Sequence, residues 1–287
     1  MKLRYFRSIF IPLVFTLALQ AQPKRVISTA PSFTETMYAI GAGDRVVGVS
    51  IYCHFPKQVE ALPKVGNYLS PDIEAIVRLK PDLVLVHKEQ PQVSAQLNRL
   101  GIKTLALANT SLDDTFASIR DVGAALHRTA DAVKLERSIR ARFNALSKAA
   151  EGKPHKTLMF ILGRNPGRLD GLVAVGKGSF LNELITIAGG RNAFADSLVT
   201  YPTISLEGVA RIDPDVIVDM GDMSETVAVT DEHKRGVVGL WKTQTGLKAV
   251  KTNRVYAVAA DIFVVPGPRI ADAAEAFANM LNDGSVK

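Results

Sequence analysis

Read for its apolar positions alone, the chain alternates between two kinds of segment. Short, nearly unbroken apolar runs at Arg25 to Thr29, Val46 to Ser50, Leu83 to His87 and Thr104 to Ala108 predict strands buried on both faces. Helical patterns separate them. The helix after the first strand carries Ser32 and Glu35 at the spacing of a capping box, and Gly41 is placed to stop it. After Gly152-Lys153-Pro154 the alternation restarts, with strands near Thr157 to Ile161, Leu172 to Val175, Val216 to Val218 and Val255 to Ala257. A closing helix is predicted over Pro268 to Leu281. This is the grammar of an α/β protein with mostly parallel sheets.

Between the two runs of alternation lies a segment without proline, Leu112 to Ala150. Thr129 is placed to cap a helix in which Leu135, Ile139, Phe143 and Leu146 fall on one face, while Lys134, Arg137, Arg140 and Arg142 lie mostly elsewhere. From Ala130 to Ala150 it would span ~32 Å at about 1.5 Å per residue. Two readings are open at this point: a strut between two lobes, or a crossover helix packed on one sheet.

The two halves also repeat each other. Ser32 to Arg45 is echoed by Ser179 to Asn192, and Ile73 to Val86 by Leu206 to Asp219, in the same order. A duplicated unit with an unrepeated connection predicts two similar lobes facing each other, with a small-ligand cleft between them.

Length and composition agree with a folded chain: 287 residues, 47% hydrophobic, are enough for two ordinary domains. Lys2, Arg4 and Arg7 precede an apolar run from Ile9 to Leu19 and then Gln20-Ala21-Gln22, the layout of a secretory signal peptide over residues 1–21. The apolar run is about half the ~20 residues of a membrane span. Cleavage after Ala21 would remove three positive charges from the formal +7 and leave +4. No Lys/Arg run or basic patch interleaved with aromatics supports nucleic-acid binding. The single cysteine, Cys53, rules out an internal disulfide, and none sits at the end of the signal segment where a lipid would attach. A free periplasmic protein is expected.

The common enzyme signatures are absent: there is no Gly-x-Ser-x-Gly elbow, phosphate loop or His-Glu-x-x-His pair. The histidines are scattered, and Cys53 with His54 is the weak candidate for a metal contact, against the simpler reading of Cys53 as a packed core residue. Ligands of open α/β sheets bind at the carboxyl ends of strands, where the chain places Tyr52, His87, Asp261 and Phe263. Tyr68 and Tyr201 precede Glu74 and Glu207 in comparable places of the two halves. Each glutamate lies in the first turn of a predicted helix. Stabilising the helix dipole is one reading; pairing with arginines of a partner that grips both lobes is the other.

Taken together, Ser-x-x-Glu after the first strand, Gly-Ala-Gly-Asp-Arg-Val-Val-Gly-Val-Ser, Tyr-Cys-His-Phe-Pro, Lys-Val-Gly-Asn-Tyr, Ile-Glu-Ala-Ile-Val-Arg-Leu-Lys-Pro-Asp-Leu-Val and Gly-Lys-Gly-Ser-Phe-Leu-Asn-Glu-Leu resemble a known family. From about Arg25 to Leu281 the chain is similar to the periplasmic substrate-binding proteins that serve ABC importers of vitamin B12, haem and iron siderophores, and most so to the vitamin B12 binders. The resemblance implies two Rossmann-like lobes, 22–111 and 152–287, joined by a single long backbone helix within 112–151, and lobes that move little on binding. It implies that Tyr52, Tyr68, His87, Tyr201 and Asp261, with Phe263, line a ligand cleft. It further implies that Glu74 and Glu207 dock a monomeric protein onto arginines of a permease dimer in the inner membrane. No cofactor of its own is expected; the transported ligand would be cobalamin, otherwise haem or a ferric siderophore. Vitamin B12 binders commonly place tryptophan where this chain has Tyr68, His87 and Tyr201, and its only tryptophan, Trp241, lies outside those motifs. Haem would be held through tyrosine or histidine. A ferric siderophore would call on arginines, with Arg164 and Arg269 as the candidates. The rivals are an exported α/β enzyme using Asp261 and His87, and a two-lobe metal-ion binder using His54, His87 and Asp261.

Overall fold

The computed structural model describes residues 22–221, 230–258 and 261–282; the expected signal peptide, 1–21, lies outside them. In the first half, β1 (Val26–Ser28), α1 (Pro31–Ala39), β2 (Val46–Val49), α2 (Ile73–Arg78), β3 (Leu83–His87), α3 (Pro91–Arg99) and β4 (Thr104–Leu107) alternate. The strands form an all-parallel sheet in the order β2-β1-β3-β4. Two helices follow, α4 (Leu112–Ala125) and α5 (Thr129–Ala150). The second half comprises β5 (Thr157–Gly163), β6 (Leu172–Ala174), α6 (Phe180–Ile187), β7 (Arg191–Asn192), β8 (Thr203–Ile204), α7 (Leu206–Ile212), β9 (Val216–Asp219), α8 (Asp231–Lys242), α9 (Lys248–Lys251), β10 (Val255–Ala257) and α10 (Ile270–Asn282).

The second sheet runs β10-β9-β5-β6-β8, with β7 also on β5. With β9 matched to β3 by the sequence repeat, and β5 beside β9 as β1 is beside β3, the order β4-β3-β1 of the first sheet reappears as β10-β9-β5. Beyond those three strands the copies differ: β7 follows α6 and pairs parallel with β5, as β2 follows α1 and pairs with β1, while β6 and β8 are additional. β2 is parallel to β1, whereas β6 follows β5 directly and pairs antiparallel with it. The second sheet is therefore mixed, because a connection of eight residues, 164–171, is too short for the crossover a parallel neighbour needs.

α5 touches helices of both halves: it packs on α4 on one side and on α6 and α10 on the other. Ile139 and Phe143 are buried, with Leu135 and Leu146 packed beside them. Arg142 binds Asp272 and Glu275 of α10, while Arg120 of α4 and Arg140 of α5 share Glu136. Its 22 residues extend about 33 Å. A helix bonded to both halves is the backbone-helix arrangement rather than a crossover on one sheet. One continuous core runs from Val26 and Phe33 through Phe116 and Phe143 to Phe160 and Phe277, so the halves share their interior.

Two local expectations are corrected. The capping box at Ser32 does not form, because α1 begins one residue earlier on Pro31, whose missing N–H suits a first turn. Ser32 Oγ instead accepts from Asn109 Nδ2 at 3.0 Å, and Glu35 binds Arg269. A capping box does stand at the head of α4, between Ser111 and Asp114. Thr129 is the first helical residue of α5, not its cap; Arg128 takes the cap position after a left-handed turn at His127. The stops are as expected, with Gly41 and Gly189 at φ of +72° and +87° just past α1 and α6.

Candidate functional site

A cavity of about 690 Å³ opens between the halves. The first half supplies Ala30, Pro31 and Ser32 from the head of α1, Tyr52 and His54 after β2, Tyr68 before α2, His87 and Glu89 at and after the end of β3, and Asn109 and Thr110 after β4. The second half supplies Leu162 of β5, Phe180 and Leu181 of α6, Tyr201, and the segment Asp261 to Pro266. Its size lies within the range of small-molecule sites, and its walls stand at the carboxyl ends of parallel strands.

All six residues singled out as cleft residues line this cavity: Tyr52, Tyr68, His87, Tyr201, Asp261 and Phe263. One wall is a row of rings. Tyr52 and Tyr68 lie 6.0 Å apart between centroids, Tyr68 and His87 6.2 Å, and His87 rests on buried Phe33 at 5.7 Å. Half-exposed Tyr201 stands on the second half. Phe263 is nearly buried and packs on Phe160 and Phe277, so it forms floor rather than rim.

The charges need correcting. Arg164, a candidate for binding an anionic chelate, is buried: its Nε donates to Asp219 at 3.0 Å and its Nη1 to the carbonyls of Asn165 and Arg168. Arg269 is likewise engaged, donating to both oxygens of Glu35 at 2.9 and 2.5 Å. Neither lines the cavity, and among the described residues no arginine or lysine does. Its lining carries the carboxyls of Glu89 and Asp261, the imidazoles of His54 and His87 and the phenols of Tyr52, Tyr68 and Tyr201. Burial pushes the Glu35 carboxyl up against the opposing pull of Arg269.

Cys53 is a core residue, its sulfur 3.2 Å from Thr34 Oγ1 and 3.3 Å from Ser50 Oγ. Burial raises its thiol above the ordinary value, partly offset by hydrogen bonds from Ser50 and Thr34. His54, its neighbour, faces the cavity instead. Among the described residues no cluster of three or more His, Cys, Asp or Glu side chains assembles to hold a metal ion. Glu89 and Asn109 were overlooked in the sequence. Each sits two residues past the end of its strand, where the rule that picked out Tyr52 and His87 also points.

Glu74 and Glu207 occupy matching first turns on α2 and α7, both exposed. The cap of α2 is Asp72, which accepts from Ala75 N, and that of α7 is Ser205, which accepts from Gly208 N. Glu74 lies 3.9 Å from Arg78. The Asp72 cap leaves Glu74 outside the closure of α2, whereas hydrogen bonds from Ser205 and its own backbone amide hold the Glu207 carboxyl below the ordinary range, so Glu207 also takes part in the head of α7.

The sequence matches the periplasmic binding protein family over residues 26–262. The chain belongs to that family. The vitamin B12-binding protein of Vibrio cholerae serotype O1 is 32% identical over 270 residues, covering 92% of each chain. A crystal structure of the periplasmic vitamin B12 binding protein of Vibrio cholerae superposes with a TM-score of 0.74 at 29% identity, covering 90% of this chain and 96% of that one. An uncharacterized ABC transporter substrate-binding lipoprotein of Bacillus subtilis is 30% identical over 94% of this chain and 83% of its own length. A periplasmic haem-binding protein from Roseiflexus superposes with a TM-score of 0.74 at 26% identity, covering 90% and 99%. This member of the periplasmic binding protein family is thus a substrate-binding protein of ABC importers, a class that binds small molecules and works with a membrane permease.

Proposed function

We propose that the protein captures a corrinoid, vitamin B12 or a close relative, in the interlobe cavity and delivers it to an ABC importer permease. The observation that carries this reading is the cavity lining: aromatic rings on both sides, the carboxylates of Glu89 and Asp261, and, among the described residues, no lysine or arginine. A corrinoid presents a broad, largely apolar ring system fringed with uncharged amides, whose N–H groups suit carboxylate acceptors. Cobalamin's single phosphodiester lies on its nucleotide tail rather than its ring edge, whereas haem carries two propionates on the ring edge and ferric siderophores are commonly anionic at the chelate; these would meet acceptors without an arginine or lysine beside them. Haem is the second reading, because Tyr52, Tyr68 and His87 share one wall and offer phenol and imidazole groups to iron. In this account lobes 22–111 and 152–287 are held by the helical segment 112–151. The protein is exported by the signal at 1–21, remains a monomer in the periplasm, and performs no catalysis.

Titration calorimetry with cyanocobalamin, haemin and a ferric siderophore tests the ligand. Saturable binding of cyanocobalamin at least tenfold tighter than of the other two is expected, and preferential binding of either anion would reject the assignment. The docking role of Glu74 and Glu207 is tested by reversing both charges, Glu74→Lys with Glu207→Lys. Ligand affinity should be unchanged while stimulation of permease ATPase is lost; a fall in ligand affinity would count against it.

A further inference from the structure

Next to the cavity lining, one ion pair joins residues 234 positions apart. Glu35 belongs to α1 of the first half and is 3% exposed. Arg269, one residue before α10, grips it through both Nε and Nη2. The same guanidinium lies over the Phe55 ring of the first half, 4.1 Å from its centroid, and its Nη2 is 3.7 Å from Asp261 Oδ2. Asp261 lines the cavity, as do Phe263, Val264, Val265 and Pro266 on the strap that runs from it to Arg269. That strap lies hard against the first turn of α1: a Cβ on Gly267 would sit 3.2 Å from the Ser32 Cα. Ala30, Pro31 and Ser32 of that turn are cavity residues too.

Replacing a buried ion pair by apolar side chains of similar volume is often neutral or stabilising, so stability alone is a poor explanation for this one. Its geometry suits another task. A bidentate guanidinium fixes both distance and orientation between its partners.

We infer that Arg269 is the positioning residue of the cargo cavity: paired with Glu35 and stacked on Phe55, it sets the separation of the two halves beside the cavity and fixes Asp261 among the lining groups. The effect on cargo rests on the binding role proposed above, whereas the effect on separation does not, and the test separates them. Nitroxide labels on Val77→Cys and Ala210→Cys, exposed matching positions of α2 and α7, report the interlobe distance by pulsed electron resonance in the otherwise intact protein; Cys53 is buried. The parent should give one narrow distribution. The double variant Glu35→Met with Arg269→Met, which leaves no lone buried charge, should at least double its width while keeping near-native circular dichroism. Phe55→Ala, which removes only a half-exposed ring, and Arg269→Lys should give intermediate widths. Cyanocobalamin affinity should fall about tenfold in the double variant, and Asp261→Asn should weaken binding in the parent but not further in that background. A distribution as narrow in the double variant and in Phe55→Ala as in the parent would overturn the inference. Broadening in a protein that binds no cyanocobalamin in either form would support the pin and reject the cargo reading.

Discussion

Asp219, the last residue of β9, has no exposed surface, yet it answers for three donors. It accepts from Trp241 Nε1 at 2.6 Å, Arg164 Nε at 3.0 Å and Gly221 N at 2.6 Å. Asp219→Ala strands the buried Arg164 charge and should cost about 3–5 kcal/mol in urea unfolding, the usual penalty for breaking a buried pair from one side. A loss under ~1 kcal/mol would show that Arg164 finds other partners. Cys53 gives a second test at this scale. A sealed thiol with a raised pKa should stay unmodified by a thiol reagent at pH 8 in the native protein and react once in urea. Tyr52 and His87 were legible because position relative to a strand end is a property of local sequence. Glu35, Arg164 and Arg269 were not. Each is polar, and only the tertiary fold reveals that its partner is a distant side chain rather than a helix end or a ligand.

The element that organises the rest is α5. Removing the Phe143 ring, which meets Phe116 edge-on at 6.3 Å, by Phe143→Ala should cost about 3–5 kcal/mol and lower the melting temperature of the whole protein in one transition, since the core it fills is common to both halves. Two resolved transitions would mean the halves unfold separately. Acid should act at the same helix. Glu275 is held below the ordinary carboxylate range by hydrogen bonding to Arg142, with burial opposing; for Glu136 burial pushes up, but Arg120 and Arg140 together outweigh it. Carboxylates lowered in the folded state contribute stability that is present above the unfolded value, about pH 4.3, and is lost as pH falls through the depressed folded values. The partly exposed Glu275 contributes modestly. Arg142→Gln should therefore flatten the acid side of a stability–pH curve below about pH 5, and an unchanged slope would contradict the assignment. Periodicity placed α5 and its apolar face within a residue or two. It left open whether that face met one sheet or two halves, and it did not reveal β7 and β8, two residues each, which no periodicity can mark.

At the scale of the molecule, the sequence repeat proved to be a repeat of sheet order, β4-β3-β1 against β10-β9-β5, and this is why two strand-end surfaces face one cavity. The antiparallel pairing of β6 was not legible, because β6 lies outside the echoed segments, which cover α1 and α6, α2 and α7, β3 and β9. The ring wall on the first half and Tyr201 on the second belong to that symmetry, and a flat cargo between them should be felt by both. The most direct measurement is the cyanocobalamin dissociation constant of the parent, Tyr68→Ala and Tyr201→Ala, by titration calorimetry. Each variant should lose about tenfold, ~1.4 kcal/mol, with the fold intact. Affinity unchanged in both, or lost in one and untouched in the other, would contradict capture between the two halves.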